Sequence, residues 1–112
     1  MVLMKLPQGE NAVVDLRKLL DYCLSAEHPR GRHKARVFAA VGVRDVDAGE
    51  MQERLLVAAR EGEAAEGEAS PYGRRYTIDF AWERQERTIR IRSTWIAGSE
   101  RDAPRLTSCY VL

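Results

Sequence analysis

The chain has 112 residues, 45% of them hydrophobic and 31% charged, with a formal net charge of +1. That length fits one domain, residues 1–112, whose single core buries roughly two thirds of the unfolded surface. Near-neutrality excludes a polyelectrolyte binder, so any affinity for nucleic acid has to come from local patches.

The start, MVLMKLPQGEN, lacks the apolar stretch and cleavage pattern of a secretory signal. No apolar run approaches the roughly 20 residues that span a bilayer, so the expectation is a cytoplasmic protein with no membrane association. In DLRKLLDYCLS, the residues Leu16, Leu19, Leu20, Cys23 and Leu24 form one apolar helical stripe, with Asp15 placed to cap it. Pro29 and Gly31 break the chain. RHKARVFAAV then starts a second helix, with Lys34, Val37, Phe38 and Val41 on its inner stripe and Gly42 to end it. A third helix begins near Asp47, which with Glu50 resembles a capping box, and turns Met51, Leu55, Ala58 and Ala59 inward.

The acidic EGEAAEGEASPYG reads as a loop; it could shield a basic cleft, but composition favours a solvated linker. YTIDFAW alternates strictly, with Tyr76, Ile78, Phe80 and Trp82 on one face. RTIRIRSTWI puts Ile89, Ile91 and Trp95 on one face. RLTSCYVL is β-prone on both faces, as a central strand closed to further pairing would be. The plan predicted is α+β: about three N-terminal helices packed on one face of a C-terminal antiparallel β-meander. Its other face pools Arg75, Thr77, Asp79, Arg90, Arg92 and Thr94, which is either merely wet or, through the arginine pair, suited to a phosphate.

The stretch EHPRGRHKARVF holds both histidines and a basic block of Arg30, Arg32, Lys34 and Arg36. Arg32 and Arg36 fall on the solvated side of the helix. Lys34 heads the inner stripe, where it either snorkels to water or reaches the rim of a cleft. His28 precedes a helix N-terminus, where it either fixes the turn or stands at an anion site and carries protons. Together with the arginine pair these are the ingredients of metal-free RNA cleavage, which needs a base, an acid and cations for the phosphorane. Two scattered cysteines and two histidines without CxxC spacing do not make a metal site, and Cys23 and Cys109 read as buried reduced thiols. No GxxxxGK[ST], GxSxG or HExxH is present, and no cofactor is expected.

The block DYCL-x-x-EHPRG-x-HKARVF with the ending PRL-x-SCYVL resembles a bacterial domain family of unknown function, over almost the entire chain. More distantly, residues 19 to 38 look similar to the LLNP-x-HP-x-G-x-KA-x-x-F block of small toxin nucleases of the barnase, EndoU, colicin and RelE type. That resemblance implies a metal-independent endoribonuclease of a toxin–antitoxin system, acting on RNA and neutralised by a small cognate antitoxin. It makes His28 or His33 the base, Lys34 and Arg92 the phosphorane stabilisers, and Tyr110 or Lys34 the remaining proton carrier. Arg30, Arg90 and Ser93 are the candidate substrate-binding residues. Unlike the toxins it resembles, this chain gathers both histidines in one stretch and has none in the strands. The alternative is a non-catalytic interaction module, an antitoxin or adaptor partner of a two-gene system, with HPRGRHKARVF as its docking face.

Overall fold

The computed structural model describes residues 3–25 and 32–112, with Tyr22 and Arg32 as backbone only. A short strand β1 (Leu3–Lys5) and a single 3-10 turn lead to α1 (Leu16–Lys18), then α2 (Arg32–Ala40) and α3 (Ala48–Glu61). Four strands follow: β2 (Glu63–Ser70), β3 (Gly73–Arg84), β4 (Arg87–Ala97) and β5 (Arg105–Val111). All neighbours are antiparallel, and the five strands lie side by side in chain order. One sheet face supplies Tyr76, Ile78, Trp82, Ile89, Ile91 and Trp95 to a core that it shares with Leu19, Phe38, Met51 and Leu55.

This corrects the expected plan of three N-terminal helices over a C-terminal meander. The sheet begins at the N-terminus, and α3 is the one long helix. The acidic segment is not a loop but β2, paired on both sides through Leu3↔Ala65 and Ala65↔Thr77. Glycine, alanine and glutamate have weak strand propensity, so here ladder hydrogen bonds and the fully buried Ala64 decide the conformation. β5 is an edge strand, not a central one. The outer side of its first half is covered by Val13, which bridges Arg105 and bonds Pro104 and Leu106, and by Lys18 Nζ donating to the Leu106 carbonyl.

The first helix departs from its predicted wheel. Asp15 does cap it, accepting the Arg17 N–H at 2.9 Å. From Leu19 to Cys23, however, the turn widens to a π-helical one, closed by the Leu24 N–H on the Leu19 carbonyl at 2.8 Å. The wider turn carries Leu19, Cys23 and Leu24 into the core and leaves Leu16 and Leu20 more than a third exposed. α2 ends as expected at Gly42, whose φ of 87° suits glycine alone. Asp47 does not cap α3 with its side chain; its carboxylate instead accepts the Arg44 N–H and the Arg84 guanidinium, both at 2.9 Å. Arg84 thereby ties β3 to the start of α3.

Two tight turns set the strand registers. Gly73, with φ of 131°, lies so close to the Ala97 carbonyl that a Cβ would stand 2.2 Å from its oxygen. At the β3–β4 turn both central residues, Gln85 and Glu86, are left-handed, with φ of 48° and 64°. Such a turn prefers Asn-Gly, because a Cβ is penalised in that region. The double substitution Gln85→Asn with Glu86→Gly is therefore expected to stabilise the fold by about 1 kcal/mol. Urea titration checks this, as a raised midpoint at unchanged slope.

Candidate functional site

The polar residues of β3 and β4 take the face away from the helices, as their alternation requires. β5 adds to that open face. Ser108 pairs with Thr94, and Tyr110 with Arg92. A bulge just before Ser108 leaves Thr107 without a partner residue, and its hydroxyl meets Thr94 Oγ1 at 2.6 Å. The result is a hydroxyl-rich margin made by Thr94, Thr107, Ser108 and Tyr110.

Lys34 reaches this margin from the other layer. α2 packs Phe38 into the core, and one turn earlier Lys34 sends its side chain past β5. Its Nζ donates to Ser108 Oγ at 2.6 Å and stands 5.7 Å from the centre of the Tyr110 ring, within cation–π range. Tyr110 is also the cross-strand neighbour of Arg92 on the same face. Two cations from different layers thus flank one phenol.

Arg92 is fixed in turn by Asp79, its cross-strand neighbour. Nε and one terminal nitrogen donate to the two carboxylate oxygens, each at 2.8 Å. The bond to Asp79, and after it the neighbouring Tyr110 hydroxyl, raises the guanidinium above its ordinary pKa. Reciprocally, the Arg92 hydrogen bonds hold Asp79 below the usual carboxylate range, against a smaller opposing effect of burial. A depressed carboxylate contributes stability that is complete above its unfolded value and lost as the pH falls through its folded one. The Asp79 carboxyl carbon is accordingly expected to titrate by NMR below an ordinary aspartate, and to return upward in Arg92→Ala. Because the guanidinium has five N–H donors, the pairing with Asp79 leaves others for a ligand on the open face.

Lys34, Arg92 and Tyr110 are therefore brought together, as the candidate chemistry requires. His33 is exposed on the first turn of α2. Arg90 is exposed on β4, two residues from Arg92, and its carbonyl accepts the Leu112 N–H. His28 and Arg30 lie outside the described residues. Ser93 does not join the open face. It is fully buried, donates to the Ile78 carbonyl at 2.8 Å and accepts from Trp95 Nε1 at 2.9 Å, so it has no access to a ligand there. Alternation with Ile91 and Trp95 already placed it inward, while the toxin resemblance pointed outward. Thr107 and Ser108 went unrecognised, although Ser108 is two positions from Tyr110 and shares its face.

Toward β1 the same face is hollowed. A hollow of about 510 Å³ lies among Ala65, Gly67, Thr77, Asp79 and Arg92, rimmed by Glu63 and Glu66. Glu66 is paired with Arg74 at 3.0 Å. Over β1 and β2 the open face carries Leu3, Lys5, Glu63 and Ala65, whereas cations and hydroxyls gather over β4 and β5. Among the described residues no three His, Cys, Asp or Glu side chains gather as a metal site would need. None of the described helices is long and apolar enough to cross a membrane.

An antiparallel sheet with one covered face, and an open face where cations meet a phenol, defines a small sheet-surface domain. The chain belongs to a family described as a domain of unknown function, DUF6883, whose model matches residues 5–112. No curated protein matches it, and no solved structure does.

Proposed function

We propose that the protein is a metal-independent endoribonuclease of the toxin type, with its site where α2 meets the margin of β5. The observation that carries this reading is the placing of both Lys34, over the ring, and Arg92, its cross-strand partner, beside Tyr110. A scissile phosphate set over that phenol would meet both cations as the 2′-oxygen attacks and charge builds on the phosphorane. The Tyr110 hydroxyl is the acid that protonates the leaving 5′-oxygen. A histidine, either His33 on the first turn of α2 or His28, takes the 2′-hydroxyl proton. Asp79 holds the Arg92 guanidinium in one orientation, which lowers the reorganisation needed in the transition state. Arg90 extends the cationic side of the face along the RNA backbone, so binding weakens as salt rises.

The test is cleavage of end-labelled RNA by purified protein in EDTA. Products ending in 2′,3′-cyclic phosphate support the reading, and intact RNA overturns it. Separate His33→Ala and His28→Ala variants identify the base.

A second reading, a non-catalytic interaction module, has one observation in its favour. β5 ends the sheet, so part of a strand edge is open to a partner chain. Production of the protein alone separates the two readings. A ribonuclease toxin without its antitoxin arrests growth, and an adaptor does not.

A further inference from the structure

The sulfurs of Cys23 and Cys109 lie 3.7 Å apart in the core, and both thiols are free. They belong to different parts of the chain. Cys23 ends the π turn after α1, and Cys109 lies on β5 between Ser108 and Tyr110. The proposed RNA chemistry uses neither of them. Sulfurs at van der Waals contact need only side-chain rotation and a small approach to reach a bond of about 2.05 Å. We propose that Cys23 and Cys109 are an oxidative modification site, a dithiol that a peroxide closes into a disulfide joining the α1 turn to β5.

The two sulfurs have different roles. Cys23, at the end of the π turn, keeps a trace of exposure, whereas Cys109 on β5 has none, so a peroxide meets Cys23 first. The contact with Cys109 draws the Cys23 thiol below its ordinary value. Burial opposes the shift, while the Cys109 backbone and the charges of Lys34 and Lys18 add to it. The same contact, together with burial, pushes the Cys109 thiol up. Cys23 is therefore the attacking thiol and Cys109 the resolving one. The Cys23 thiolate attacks one peroxide oxygen; an S–O bond forms, the O–O bond breaks, and the leaving hydroxide becomes water with the Cys23 proton. Cys109 sulfur then attacks the Cys23 sulfenic acid. The S–S bond forms, the S–O bond breaks, and the second hydroxide leaves as water with the Cys109 proton. Two thiols are oxidised and one peroxide is reduced to two waters.

The experiment treats the full chain with hydrogen peroxide, then denatures it, labels free thiols with a maleimide and weighs the intact protein. The expected product carries no label, is monomeric, has lost two hydrogens, and regains both labels after dithiothreitol. Cys109→Ala should stop at a Cys23 sulfenic acid that dimedone captures, and Cys23→Ala should leave Cys109 unreacted. Two labels on the wild-type chain after peroxide overturn the proposal, as does a disulfide only between two molecules. The wild-type masses decide this even where a substituted core fails to fold.

Discussion

Lys34→Met is expected to lower RNA cleavage by about 10²–10³-fold, the usual loss when one pre-set donor to a developing oxyanion is removed. Methionine keeps most of the apolar stem and removes the charge, so the packing of α2 on β5 should survive. The cost in stability is that of the bond to Ser108, about 1 kcal/mol. If Lys34 acts on the phosphorane, the loss appears in kcat, because the interaction strengthens only as charge builds there. Loss confined to KM would assign Lys34 to ground-state binding instead. Arg92→Lys removes the bidentate contact to Asp79 while keeping a cation, so it reports on orientation more than on charge. Because both cations face one phenol, the double variant should lose less than the product of the single losses. Single-turnover cleavage of a short labelled RNA measures all three. Equal rates for wild type and Lys34→Met would remove Lys34 from the mechanism.

The second large effect concerns stability. Ser93→Ala is expected to destabilise the fold by about 2–3 kcal/mol. Its hydroxyl joins Trp95 Nε1 to the Ile78 carbonyl, with both Ser93 and Trp95 fully buried. Alanine leaves the fully buried indole N–H without its protein partner, and a buried orphan donor costs more than the net value of an ordinary hydrogen bond. Melting should fall by about 10 °C for a chain of this size. Cleavage per folded molecule should stay unchanged, which separates a core residue from a substrate contact. A normal melting curve with weakened RNA binding would reverse that assignment.

The parts of the fold legible from sequence were those where side-chain period and burial agree. β3 and β4 alternate cleanly, and Asp15 and Gly42 mark helix ends by chemistry that needs no tertiary partner. β2 was not legible, because its conformation comes from two neighbouring strands and not from residues such as Glu66 and Gly67. The π turn was hidden for a related reason. Its apolar spacing fits an ordinary helix, and only packing decides that Leu20 stays half outside. β5 looked central because RLTSCYVL is β-prone on both faces, and Leu106 and Cys109 are indeed buried while Tyr110 and Val111 are half-buried. In the fold that cover comes from α2 and the Val13 segment and not from a further strand. Of the candidate site, Lys34, Arg92 and Tyr110 were named from the sequence. Their meeting depends on α2 crossing a strand more than seventy positions later, which no local pattern encodes.

The place of β1 bears on the order in which the sheet is assembled. β2 to β5 are joined by short connections, so each can zip onto its predecessor as a hairpin. β1 has to wait for a partner roughly 60 residues further on, and closing a loop of that length costs entropy before any ladder bond repays it. With only three residues and an exposed Leu3, it has little to hold it afterwards. Its amides should therefore exchange with solvent by local fraying, well before those of β3 and β4. The sheet would then lose its first strand without unfolding the rest, and the cationic margin four strands away would persist while the edge of β2 opens.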